Sequence, residues 1–278
     1  MDNAVNTVDL SVLTKPIGTR DTPNSRSVGE KLCVAGTMLR LIGVGLLSLM
    51  TMLVYVPQVH AGTPAIALDG FWSMCPSRYN CGTIDTIATL TTTHNNDVIV
   101  PVAQSKFGEK NVTSVVDNGG HVWTLRAVIN GNNPIWEYYT IADSPLASDR
   151  ISVTWSNGYT DGYSAFVVFG VSGANTHSPW APRFPVERPG WNGSSVALSV
   201  AGSGDFIIVT TAVNDAPPCY LTTDVSPFQT IGEIGAGVYG EADYFITGIG
   251  GPTTVSFSCN PYSDPETFLG DVLRSPST

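Results

Sequence analysis

Arg150-Ile151-Ser152-Val153-Thr154-Trp155 decides the fold class. Its apolar residues fall at every second position, and successive side chains of an extended strand point to opposite faces of a sheet. Ile151, Val153 and Trp155 therefore face a core, while Arg150, Ser152 and Thr154 face solvent. Short runs of the same β-branched and aromatic kind recur on both sides of it: Thr86–Thr93, Asp97–Gln104, Thr113–Asp117, Val122–Ile129, Ile135–Ala142, Ser164–Ser172, Ser195–Ser199, Phe206–Val213, Gln229–Ile231, Ala242–Ile246 and Thr253–Ser258. Gly, Pro, Asn and Asp separate them, and no segment sustains a helical period. Such spacing predicts an all-β chain folded as a two-sheet antiparallel β-sandwich of jelly-roll type, with no internal repeat and no second domain.

Two runs refine this expectation. Ala165-Phe166-Val167-Val168-Phe169 and Phe206-Ile207-Ile208-Val209 are apolar throughout, as strands covered on both faces are. In Val122–Ile129 the alternation assigns Trp123, Leu125, Ala127 and Ile129 to one face, and Thr124 and Arg126 to the other. Asp117-Asn118-Gly119-Gly120 reads as a hairpin, because Asn and Gly tolerate the positive φ that tight turns between twisted strands require.

The N-terminal third reads differently. Leu41–Val56 is an apolar run without a charge, preceded by Arg40 and followed by Pro57 and Val59-His60-Ala61, a small-residue pattern suited to signal-peptide cleavage after Ala61. Sixteen residues fall short of the roughly 20 a spanning helix needs, so the membrane enters only through an uncleaved signal segment. Translation starts at Met1, or at Met38, which opens a signal of ordinary proportions. The resulting division is a signal region with a polar lead over 1–61, an extension over 62–85, and a sandwich domain over 86–278 with a short tail, and the location is extracellular or cell-surface. Five of the 13 basic and four of the 23 acidic residues precede residue 62, leaving a net charge of −11. That balance repels a phosphate backbone and excludes a nucleic-acid partner.

Cysteines fit the exported reading. Cys33 lies in the removed segment, and Cys75, Cys81, Cys219 and Cys259 remain. Four cysteines allow three pairings, of which the sequence neighbours Cys75–Cys81 and Cys219–Cys259 are favoured. Closing the longer loop stabilises by about 3–4 kcal/mol in the chain-entropy model. Neither pair has zinc-site spacing, no histidine accompanies them, and no metal or cofactor is expected. Asp215, Asp224 and Asp243 lack the spacing of a calcium loop.

The ordered marks from Asn96 to Pro179 carry a resemblance. They are Asn96-Asp97-Val98-Ile99-Val100, the hairpin Asp117 to Trp123-Thr124, Trp136 to Tyr139, Asp149 to Thr154, and the exit Phe169 to Pro179. Together they resemble a jelly-roll-like domain recurring in secreted bacterial and archaeal surface proteins and in phage virion proteins. Asp205-Phe206-Ile207-Ile208 and Tyr244-Phe245 resemble its second half, and the likeness covers roughly Thr86–Ser258. The resemblance implies a sandwich in surface, adhesive or particle-coat settings and brings no catalytic or binding residues with it.

Three functions follow as expectations. The first is a non-enzymatic adhesin-like module or filament or coat subunit, with itself as partner through strand exchange or edge-to-edge contact; the apolar segment Thr63–Leu68 either completes its own sheet or adds to a neighbour's. The second is a lectin-like binder of surface glycans, with Trp180, Phe184 and Trp191 of the proline-rich stretch Asn175–Gly193 as the stacking surface. The third is a carbohydrate-active hydrolase with Glu137 as one carboxylate and Glu241 or Asp243 as the other. Asn111 and Asn192 head glycosylation sequons. Of the histidines, His94 and His121 fall in turns, and no nucleophile elbow accompanies any of them.

Overall fold

The computed structural model describes residues 65–73, 87–105, 110–156, 164–191, 195–214, 227–234, 238–248, 252–258 and 266–276. All the described residues fall within one compact unit, which begins at His60. Leu41–Val56, the cleavage site, all five cysteines and Asn192 lie outside the described residues. No described helix is long and apolar enough to cross a membrane, which leaves β-barrels unaddressed.

Fifteen strands make up the described chain: β1 (Ala67–Ser73), β2 (Ile87–Leu90), β3 (Asp97–Ser105), β4 (Val112–Asp117), β5 (Thr124–Ile129), β6 (Ile135–Ala142), β7 (Asp149–Trp155), β8 (Ser164–Ser172), β9 (Val186–Trp191), β10 (Val196–Val200), β11 (Phe206–Asn214), β12 (Gln229–Ile234), β13 (Val238–Ile246), β14 (Thr253–Phe257) and β15 (Glu266–Leu273). All pairings are antiparallel. The fold is all-β, as the alternation predicts.

The sheet orders reveal a repeat that the sequence conceals. The first five-stranded sheet runs β1-β8-β3-β6-β5 and faces the three-stranded β2-β7-β4. The second runs β9-β15-β11-β13-β12 and faces β10-β14. Substituting β9 for β1, β10 for β2, β11 for β3, β12 for β5, β13 for β6, β14 for β7 and β15 for β8 converts the first order into the second, β4 having no counterpart among the described residues. The expectation of no internal repeat is corrected: two sandwiches of one strand order stand in tandem, both within the compact unit that begins at His60.

Three apolar cores hold the four sheets as layers. Between the two large sheets, Val98, Val100 and Val102 of β3 and Val167, Phe169 and Val171 of β8 meet Phe206 and Ile208 of β11 and Leu269 and Leu273 of β15. On the far side of the first large sheet, Ile99, Phe166 and Val168 pack on Leu90, Ile151, Val153 and Trp155. On the far side of the second, Ile207, Val209, Phe268 and Val272 pack on Leu198, Val200 and Phe257. Both faces of β8 and β11 are thus covered, which is why these strands are apolar at every position.

Three strands lie where the sequence reads an extension, a loop and a tail. β1 lies within the extension and pairs with its own β8, so Ala67 and Leu68 complete their own sheet, one of the two outcomes expected of this segment. β15, placed in a polar tail, is an inner strand between β11 and β9. β9 carries Pro189 and Gly190 and so reads as loop; as the edge strand of its sheet it tolerates both. One face assignment also changes. The β5–β6 register shifts between Leu125 and Ala127, so Leu125 turns to solvent and Arg126 turns inward, while Ala127 and Ile129 stay buried.

Candidate functional site

Glu137 on β6 shares its parity with Ile135 and Tyr139 and points into the central core. It has 0% exposure, and neither carboxylate oxygen has a hydrogen-bond partner. Beside this face lies an ion pair joining the two sandwiches. Arg126 Nε donates to Asp271 Oδ2 at 2.8 Å and its Nη2 to Oδ1 at 3.2 Å, while Nη2 also donates to the Phe184 carbonyl at 2.7 Å. The Val272 amide donates to Asp271 as well, at 2.7 Å. The guanidinium stands 4.8 Å from the ring centre of Trp180, whose ring meets Tyr139 edge-on at 5.4 Å. Burial pushes Glu137 well above the usual carboxylate range, and the Asp271 charge adds to it against Arg126. Burial also raises Asp271, with the bonds from Arg126 opposing. Burial and the neighbouring Asp271 thus both favour the neutral form of Glu137.

A glycosidase needs two carboxylates flanking one bond. Glu241 and Asp243 are buried on β13 with the parity opposite to Ala242 and Tyr244, which face the central core. They therefore lie on the far face of the second large sheet, with the whole sheet between them and Glu137. Burial raises Asp243 to about 7, against hydrogen bonds from Glu241 and Thr230. The expected partnership of Glu137 with Glu241 or Asp243 is not formed.

The three aromatic residues expected to make a platform are divided among different surroundings. Trp191 is 5% exposed and packs against Phe257 and Phe268 in the outer core of the second sandwich. Trp180 packs against the central core and bridges to Leu273. Only Phe184 lines an open cleft of about 710 Å³, with Ala181, Arg183, Ser199, Asp205 and Arg274. Asn111 is exposed.

Two polar clusters lie at turns. In the β1 bulge, Asp69 accepts from the Thr93 amide at 2.8 Å, the Thr93 hydroxyl at 2.7 Å and the His94 amide at 2.9 Å, and lies 2.9 Å from His94 Nδ1. Burial raises Asp69, but these bonds outweigh it and hold the carboxyl below its ordinary range. Its neighbour Asp97, wholly buried, is raised to about 7 by burial and by the Asp69 charge. At the β4–β5 hairpin, Asp117 Oδ1 accepts from the amides of Gly120 and His121, and Oδ2 accepts from Trp123 Nε1 at 3.0 Å and lies 2.9 Å from His121 Nδ1. The sequence marks this hairpin through Asp117, Gly119 and Trp123 but gives no sign that Asp149 of β7 joins it. Arg126–Asp271, separated by 145 residues, has no sequence signal at all.

No family model, curated protein or solved structure matches the chain.

Proposed function

We propose that the chain is an exported, non-enzymatic β-sandwich subunit of a surface or coat assembly, joined to copies of itself flank to flank. The observation that carries this reading is the placement of the large apolar residues that remain exposed. Phe71, 54% exposed, and Ile87 lie on β1 and β2, edge strands on one flank of the first sandwich. Val116 and Leu125 lie on β4 and β5, the edge strands of the opposite flank, and Val122, 83% exposed, lies in the link between them. Scattered apolar residues need no explanation, but apolar residues gathered on open edges mark association surfaces, because an edge also offers unpaired backbone groups. Two different flanks meeting make a heterologous contact, which continues as a ring or a filament. The sealed position of Glu137 and the separated aromatic residues turn the reading away from hydrolase and lectin.

Sedimentation velocity and negative-stain electron microscopy of protein beginning at Gly62 test it. Species larger than the monomer should grow with concentration, and with salt, since a net −11 repels copies. Val122→Lys and Phe71→Lys should each give monomers with unchanged circular dichroism. Mixed together they should stop at dimers, because each retains one intact flank. A wild-type protein that stays monomeric at its highest soluble concentration sinks the proposal.

A further inference from the structure

We infer that the β4–β5 hairpin and the start of β7 form a binding site for a divalent transition-metal ion such as Zn²⁺, with His121 and Asp149 as ligands and Asp117 as the residue that positions the imidazole. One carboxylate oxygen from each of Asp117 and Asp149 and one ring nitrogen of His121 lie within 4.8 Å of one another. An acidic group beside a histidine is common on surfaces without any ion, so the state of each side chain decides.

Asp149 is 9% exposed, and its Oδ2 is buried with no hydrogen-bond partner. A buried carboxylate oxygen with nothing to accept from is costly, because the water it gave up is not replaced. A cation removes that cost directly. His121 presents the complementary half. Its Nδ1 lies against Asp117 Oδ2 at 2.9 Å, and its side chain is 22% exposed. With Nδ1 held by a carboxylate, Nε2 is the nitrogen left to bind. Carboxylate–histidine–metal is the arrangement that fixes the tautomer and raises the basicity of a ligating imidazole.

Asp117 is suited to the outer position rather than to the ion. Its side chain has no exposure, and its two oxygens already receive two amides, the Trp123 indole and the imidazole. The ring is further fixed over Gly119, where an added Cβ would stand 2.6 Å from His121 Cε1 and 2.8 Å from Nδ1. Ligand atoms at about 2.0–2.2 Å from a tetrahedral ion stand roughly 3.3–3.6 Å apart, a spacing within the 4.8 Å that bounds this cluster. One imidazole and one carboxylate, with water completing the shell, suit Zn²⁺ and its neighbours better than Ca²⁺, which takes six to eight oxygens. The ion would tie β7 to the hairpin that carries Val122.

Isothermal titration with Zn²⁺ on oxidised protein, with any free thiols alkylated, tests the site. The expected result is one ion per chain, at least tenfold weaker binding in His121→Gln and Asp149→Asn, and about 10–100-fold weaker binding in Asp117→Asn. Zn²⁺ should raise the melting temperature of the wild type and leave that of Asp149→Asn unchanged, while circular dichroism of each variant matches the wild type. A Co²⁺-loaded protein should show ligand-field absorption that His121→Gln alters. Absence of wild-type binding, or an equivalent bound with the same affinity in both ligand variants, overturns the inference.

Discussion

Asp69 and Asp97 lie side by side and ionise in opposite directions. Asp69 is surrounded by donors from Thr93 and His94 that favour its charged form, whereas Asp97 meets burial and the Asp69 charge, both of which favour its neutral form. The sign of the pH dependence follows. Asp97, raised from 3.8 to about 7, contributes stability that is full below its unfolded pKa and is lost as pH rises through about 7. Asp69, depressed, contributes stability above its unfolded pKa that disappears only in strong acid. Asp97→Asn keeps a neutral side chain of the same shape at every pH. Denaturant titrations of the wild type should therefore lose stability between about pH 4 and 7, by at most roughly 4 kcal/mol for a shift of this size, and those of Asp97→Asn should run flatter. Parallel curves for the two proteins would show that Asp97 is not the titrating group.

Among the elements, β1 shows what backbone requirements impose. Its register shifts between Leu68 and Phe71, and the bulge turns Asp69 toward Thr93 while Gly70 takes φ +83°. A Cβ on Gly70 would lie 2.2 Å from the Thr91 carbonyl oxygen, so an alanine meets both a left-handed backbone and a collision with main chain. Gly120, at φ +75°, has nothing near its missing Cβ. Gly70→Ala should accordingly cost more than about 2 kcal/mol by urea denaturation, and Gly120→Ala about 1 kcal/mol. Equal costs at the two positions would mean that the bulge relaxes. The elements also show where the sequence is legible. β3, β6, β7 and β8 are read almost to the residue because each buries at least one face, and burial leaves an apolar pattern. β9 is hidden by Pro189 and Gly190, and Leu125 and Arg126 of β5 are misassigned because one extra residue in a bulge breaks the alternation between them and the buried Ala127 and Ile129. The ligand cluster of Asp117, His121 and Asp149 is visible only in its hairpin half, since the pairing of β4 with β7 brings in the third residue.

At the scale of the whole molecule, the repeat escapes the sequence because equivalent positions preserve burial rather than identity. With Asp97 at the start of β3 set against Asp205 just before β11, the pairing registers match Phe169 of β8 to Asp271 of β15 and Val102 of β3 to Thr210 of β11. The central core tolerates Asp271 only because Arg126 crosses from the other sandwich to meet it. This has a consequence for folding. Each large sheet places a largely apolar face against the other, so either sandwich alone would expose Val98, Val100, Val102 and Phe169, or Phe206, Ile208 and Leu269, to water. Burying one such side chain is worth about 1.5–3 kcal/mol, so the shared core amounts to more than the whole stability of an ordinary domain. The two sandwiches should therefore melt together: calorimetry on protein beginning at Gly62 should give one transition whose calorimetric and van't Hoff enthalpies agree. Arg126→Ala leaves Asp271 buried without its partner, which costs about 3–5 kcal/mol, and it should move that single transition down as a unit without splitting it. Two resolved transitions in the wild type, or a variant in which only part of the heat moves, would show that each sandwich is stable without the core between them.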